Sequence, residues 1–138
     1  MSEQRARAAI AFLAVLGAGI AAYLTYVRLT GTELACSTGG CETVQRSSYS
    51  ELLGVPVAVL GVGGYVLLLA GALARGSLAR AGTLAVSLTA FAFSAYLLVV
   101  QLAVIGAVCD WCVASDVVTT LIATLALLRF SVGERLAT

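Results

Sequence analysis

Residues 81–112, AGTLAVSLTAFAFSAYLLVVQLAVIGAVCDWC, decide the fold. From Ala81 to Ala107 no side chain is charged, and the run then leads into Cys109-Asp110-Trp111-Cys112. An α-helix needs about 17 to 25 mostly apolar residues to cross the hydrocarbon core of a bilayer. Three more stretches have this character, so the sequence predicts membrane helices over 8–27, 54–74, 81–107 and 111–130. The longest segment between them, 28–53, is expected to lie outside the bilayer. The fold class is therefore an all-α membrane protein: a four-transmembrane-helix bundle, one domain over 1–138, with a cap of loop and short helix between helices one and two.

Composition agrees. The 138-residue chain is 61 % hydrophobic and 11 % charged, with a mean hydropathy of +1.04. A soluble domain is about 45–50 % apolar and about 25 % charged, so a water-soluble bundle of these helices would lack the charged surface to stay dissolved. The net charge is +1 and every basic side chain is an arginine; with no basic cluster, nucleic acid is not an expected partner. Histidine is absent, which removes Ser-His-Asp hydrolysis, Cys-His proteolysis and His-ligated zinc or haem. Cysteine is the remaining residue type with strong intrinsic chemistry.

Arg5 and Arg7 before the first apolar run, with Ala18, Ala21 and Ala22 inside it, imitate a secretory signal. The run continues through Tyr23 to Val27, so a retained helix is expected. Short cytoplasmic segments are enriched in arginine. Arg5, Arg7, Arg75, Arg80, Arg129 and Arg135 fall at one end of the predicted bundle, and Arg28 and Arg46 at the other. Both termini are accordingly expected in the cytoplasm and all four cysteines outside it.

The external segment holds Thr30-Gly31-Thr32 and Ser37-Thr38-Gly39-Gly40, both turn-forming, and becomes more helix-compatible from Cys41 to Arg46. Pro56 is expected in the first turn of helix two, where a missing amide hydrogen costs nothing. Gly17-Ala18-Gly19, Gly61-Val62-Gly63-Gly64 and Gly71 suit close helix packing. The glycines of helix two also suit a slot for a flat ligand.

Cys109 and Cys112 form a C-x-x-C at the start of a helix, whose macrodipole and free amides favour a thiolate. Asp110 opposes a thiolate through its charge but is placed to cap the helix. Trp111 reads as an interfacial anchor. Cys36 and Cys41, separated by four residues of which two are glycine, can pair with each other or swing to another sulfur. Three readings are open: static disulfides, a four-thiolate zinc site, and a thiol–disulfide relay. A relay inside a membrane needs an electron acceptor, and with no haem ligand or iron–sulfur spacing, a lipid-soluble quinone is the natural one.

Cys36-x4-Cys41, Ser47-Ser48-Tyr49-Ser50, Gly54-Val55-Pro56-Val57-Ala58-Val59-Leu60-Gly61 and the final C-x-x-C together resemble the vitamin K epoxide reductase family in its bacterial form. The bacterial disulfide-forming oxidase of the periplasm has its C-x-x-C in the first external loop, the reverse order. The resemblance implies a four-helix bundle enclosing a quinone of the menaquinone or ubiquinone type, in a bacterial cytoplasmic membrane. By the same likeness Cys109 and Cys112 are the active-site pair, Cys112 nearest the quinone, and Cys36 and Cys41 are the shuttle pair.

Ser47 falls where family members place a Ser or Thr near the quinone, and Leu97, Gln101 and Trp111 where they can line the pocket. Asp116 stands where animal members carry a tyrosine, which argues against epoxide reduction. Many bacterial relatives carry a fused thioredoxin-like domain, and here a thioredoxin-fold partner acting in trans is expected. The implied function is oxidation of that partner with electrons passed to the quinone, supporting disulfide formation. The alternative is a small transporter or structural subunit with static disulfides; transporters usually place an ionisable residue deep in the bilayer, and no predicted helix has one near its centre.

Overall fold

The computed structural model describes residues 2–30, 51–52, 54–106 and 109–137. Cys36, Cys41, Ser47 and nearly all of the expected external cap lie outside the described residues. Four long helices make up the rest: α1 (Glu3–Thr30), α2 (Val57–Leu73), α3 (Ser77–Val99) and α4 (Asp110–Ala137). α3 continues without interruption into a π-helical turn, Val100–Ile105.

Each helix begins or ends differently from its apolar run. α1 and α4 extend past the predicted 8–27 and 111–130 because a helix propagates through charged residues such as Glu3 and Arg135 once it has left the lipid. α2 starts at Val57, three residues later than predicted, and Pro56 is not in its first turn. Pro56 is extended (φ −58°, ψ 136°) and pairs with Glu51 in a two-residue antiparallel hairpin, β1 (Glu51–Leu52) and β2 (Val55–Pro56). Gly54 sits in the connection at φ +83°, where a side chain would be strained.

α1 packs against both α2 and α4, and α3 closes the ring against α4 and, less extensively, α2. The buried face of α1 (Ala6, Ile10, Ala14, Gly17, Ala21, Leu24, Val27) recurs every three or four residues, one stripe of a helix. It is mostly small, which lets backbones approach closely without a hydrophobic drive between helices. Ile10 and Ala14 meet Tyr65 and Leu68 of α2 and Val118 and Ile122 of α4 in one apolar cluster. The outward faces are also apolar: Phe12 is 69 % exposed and Leu78 85 %. With apolar residues inside and out, the solvent of this bundle is lipid.

α1, α3 with its π turn, and α4 are each long and apolar enough to cross a membrane. α2 has 17 residues, about 25 Å at 1.5 Å per residue, the lower limit for a span.

Candidate functional site

α4 begins directly after Cys109. Cys109 occupies the N-cap position, and its Sγ accepts the Cys112 N–H at 3.3 Å, the bond a capping side chain makes to the third helical residue. The Cys109 carbonyl accepts from Val113 N at 2.9 Å. The cap expected of Asp110 is thus made by sulfur, and Asp110 is the first helical residue. The free amides of the first turn and the N–H aimed at Sγ favour negative charge on that sulfur.

Cys109 is fully buried and Cys112 half-buried. Trp111, between them, lies with its ring centroid 4.9 Å from that of Tyr23 on α1, which ties the start of α4 to the end of α1. Behind Cys109, Gln101 Oε1 accepts the Cys109 N–H at 2.9 Å, reaching back eight residues. The π turn allows this: Gly106, left-handed at φ 72°, donates its N–H to the Gln101 carbonyl at 2.9 Å and turns the chain toward α4.

Cys112 faces a cavity of about 600 Å³ lined by all four helices. α3 contributes Val86, Phe93 and Leu97 at helical spacing, and the glycines of α2 open the opposite wall: nothing lies within 4 Å of a Cβ built on Gly64. Polar groups are few and convergent. Tyr65 Oη is within hydrogen-bond distance of Ser115 Oγ (2.6 Å) and Thr119 Oγ1 (2.9 Å). Asp116, one turn beyond Cys112, lines the same wall beside Ser94, and its Oδ2 is buried with no hydrogen-bond partner among the described residues. An apolar cleft of this size with a handful of placed polar groups is the usual form of a small-molecule site.

Of the residues singled out in the sequence, Cys112, Leu97, Gln101 and Asp116 share this cavity, with Cys109 immediately behind it. Trp111 is not among the lining residues; it packs on Tyr23 instead. Sequence reading did not single out Tyr65, Phe93 or Ser94. Phe93 and Ser94 belong to the stripe Val86, Ala90, Phe93, Ser94, Leu97 and Gln101, whose helical period is visible once α3 is known to face a cavity. Among the described residues no cluster of metal-ligating side chains occurs.

Part of the chain is 41 % identical over 61 residues to the thiol-disulfide oxidoreductase LTO1 of Arabidopsis thaliana; the match covers 41 % of this chain and 16 % of that protein. The chain thus spans a small fraction of the length of that relative. The model of the vitamin K epoxide reductase family matches residues 8–127. With that match running from the first turns of α1 almost to the end of α4, around a C-x-x-C that opens on an intramembrane cavity, the chain is a multi-pass membrane protein of the vitamin K epoxide reductase family.

Proposed function

We propose that the chain is a membrane thiol–disulfide oxidoreductase that oxidises an extracytoplasmic thioredoxin-fold protein and delivers the electrons to a quinone. The observation that carries this reading is the placement of Cys112 on the wall of an apolar cavity of about 600 Å³, with Cys109 one helical turn away at the head of α4. Family membership and the name of the LTO1 relative support a disulfide-exchanging role in a membrane.

The cavity fits the head of a quinone: its volume and aliphatic walls suit a flat ring system, and its polar groups suit two carbonyl oxygens. Leu97 and Phe93 would flank the ring, with Gln101, Ser94 and Asp116 at hand for its oxygens. A bound quinone supplies a sink for two electrons and two protons, returning Cys109 and Cys112 to the disulfide.

The exchange steps belong to the chain's own sulfurs. A partner thiolate attacks the Cys36–Cys41 disulfide at Cys36, and the second partner thiol resolves the mixed disulfide, leaving the partner oxidised and Cys36 and Cys41 reduced. Cys41 then attacks Cys109 of the Cys109–Cys112 disulfide and releases the Cys112 thiolate; Cys36 resolves the Cys41–Cys109 bond. Each transfer moves two electrons and two protons by in-line thiolate attack. Asp116 Oδ2, on the wall next to Cys112, is an atom able to hold a proton close to the released thiolate.

Purified protein in detergent, with a reduced thioredoxin-fold protein and a water-soluble naphthoquinone, tests this by the loss of quinone absorbance. Cys109→Ser and Cys112→Ser abolish the reaction. Cys41→Ser abolishes it with the protein substrate and spares it with dithiothreitol, which reaches Cys109–Cys112 directly. A Cys112→Ser protein that reduces the quinone at the parent rate would sink the proposal.

A further inference from the structure

Gln101 is 2 % exposed and lines the cavity, yet its hydrogen bond is to the cysteine helix. Because Oε1 receives an N–H, the assignment of the amide is fixed by chemistry: oxygen faces Cys109, and the amino group Nε2 is the half left over. Among the described residues Nε2 makes no hydrogen bond. The buried side-chain atoms left unpartnered among the described residues are Arg80 Nε, Asp116 Oδ2 and Arg129 Nε, and Nε2 is not one of them. Gln101 lines the cavity, and the amino group, with two N–H donors, is the half of its amide left for an acceptor there.

The backbone around Gln101 is built to hold it there. A π-helical turn widens the helix by one residue, and such turns recur at functional sites because regular α-helix is the better-bonded alternative. This one starts at Val100, so Gln101 lies within it and is swung over the amino end of α4.

We propose that Gln101 is a positioning residue for Cys109 and, through Nε2, a hydrogen-bond donor to a carbonyl oxygen of the flat ligand in the cavity. The ligand half rests on the quinone reading; the Cys109 half stands without it. One planar amide then connects the two centres. A carbonyl drawn to Nε2 orients Oε1 and with it the Cys109 amide, and Cys109 Sγ is the acceptor that receives the Cys112 N–H. Cavity occupancy is in this way felt at the sulfur that Cys41 attacks.

Two measurements on the whole protein separate the halves, both in a Cys36→Ser/Cys41→Ser/Cys112→Ser background. There Cys109 is the one thiol left, menadione cannot oxidise it to an internal disulfide, and the backbone N–H at position 112 is kept. The first is the rate at which N-ethylmaleimide labels reduced Cys109 without quinone. Gln101→Met raises it on the order of three- to tenfold, the worth of one buried neutral hydrogen bond. Gln101→Glu, which keeps an acceptor oxygen in either protonation state, labels at the parent rate. Gln101→Asn, one methylene too short to reach the Cys109 N–H, behaves as Met and serves if Met does not fold.

The second measurement is menadione affinity, read from quenching of Trp111, the single tryptophan. Gln101→Met weakens binding by on the order of three- to tenfold, and menadione slows Cys109 labelling in the parent but not in this variant. Unchanged labelling in both Gln101→Met and Gln101→Asn overturns the positioning half. Unchanged affinity in a parent that binds menadione overturns the donor half and leaves the quinone reading intact. A parent that does not bind menadione overturns the donor half together with that reading, and the labelling rates alone then decide the positioning half.

Discussion

A Cβ built on Gly17 would fall on the ring of Tyr65, whereas one on Gly19 meets nothing within 4 Å. Two glycines two residues apart on α1 therefore have opposite duties. Gly17 makes room for a tyrosine that carries a hydroxyl into the polar corner of the cavity, where Ser115 and Thr119 receive it. Gly17→Ala must push that ring away and is expected to cost about 1–3 kcal/mol, the usual range for overpacking. Gly19→Ala is expected to be neutral or slightly stabilising, since alanine is the better helix former. Thermal unfolding of the two variants in one detergent checks this, and equal losses would contradict it. The sequence displayed both glycines as packing residues but not which one met a side chain, because the partner lies on another helix. The same divide runs through the site. Cys109 and Cys112 announce themselves by spacing and position at a helix start. Gln101 is legible only as a polar residue in an apolar run; its bond to Cys109 depends on a π turn that periodicity does not reveal.

At the scale of elements, the shortest helix has the most heavily bonded end. Arg129 of α4, 1 % exposed, donates to the carbonyls of Gly71 and Ala74 at 2.9 Å each, and Arg7 of α1 donates to those of Ala72 and Leu73 at 2.8 and 2.9 Å. Four successive carbonyls at the carboxyl end of α2, which have no partner within the helix, are thereby satisfied by cations from its two neighbours. Glu3 Oε1 lies 3.5 Å from Arg129 Nε and 3.8 Å from Arg80 Nη1, holding the guanidiniums in place. Arg129→Met leaves two part-buried acceptors unpaired and is expected to cost about 1–3 kcal/mol. Arg75→Met, at an exposed position, is expected to stay within about 0.5 kcal/mol. Resistance to denaturant unfolding ranks the two, and an Arg129→Met protein as stable as Arg75→Met would refute the capping role. The apolar runs located all four helices because bilayer thickness sets their length. They misplaced the ends because hydropathy marks where lipid stops, not where hydrogen bonding stops; Arg129, read as a flanking charge, is a buried structural residue.

At the scale of the whole molecule, the arginine network and the C-x-x-C occupy opposite ends. Arg7, Arg80 and Arg129 meet around the carboxyl end of α2, while Gln101, Cys109, Trp111 and Tyr23 meet at the other end. From Cys112 to Arg129 is 129 − 112 = 17 steps along α4, about 26 Å at 1.5 Å per residue, close to the thickness of a hydrocarbon core. One end therefore lies at each face of the bilayer. Arginine is retained on the cytoplasmic side during insertion; the orientation we propose therefore has the cysteines on the opposite face, where disulfide chemistry would have oxidising surroundings. Part of the arginine set, however, is bound to backbone carbonyls in the folded state, so fold and orientation draw on the same side chains. The exposed Arg5 and Arg75 have no part in that network and report on orientation alone. A green fluorescent protein fused after Thr138 is expected to fluoresce, and alkaline phosphatase fused there to be inactive. Alkaline phosphatase inserted after Ser50 is expected to be active. Arg5→Glu together with Arg75→Glu should then lower the fraction of correctly inserted chains without altering the unfolding midpoint of those that insert. An active phosphatase at the carboxyl end of the parent would reverse the assigned sides and move the sulfur chemistry to the reducing face.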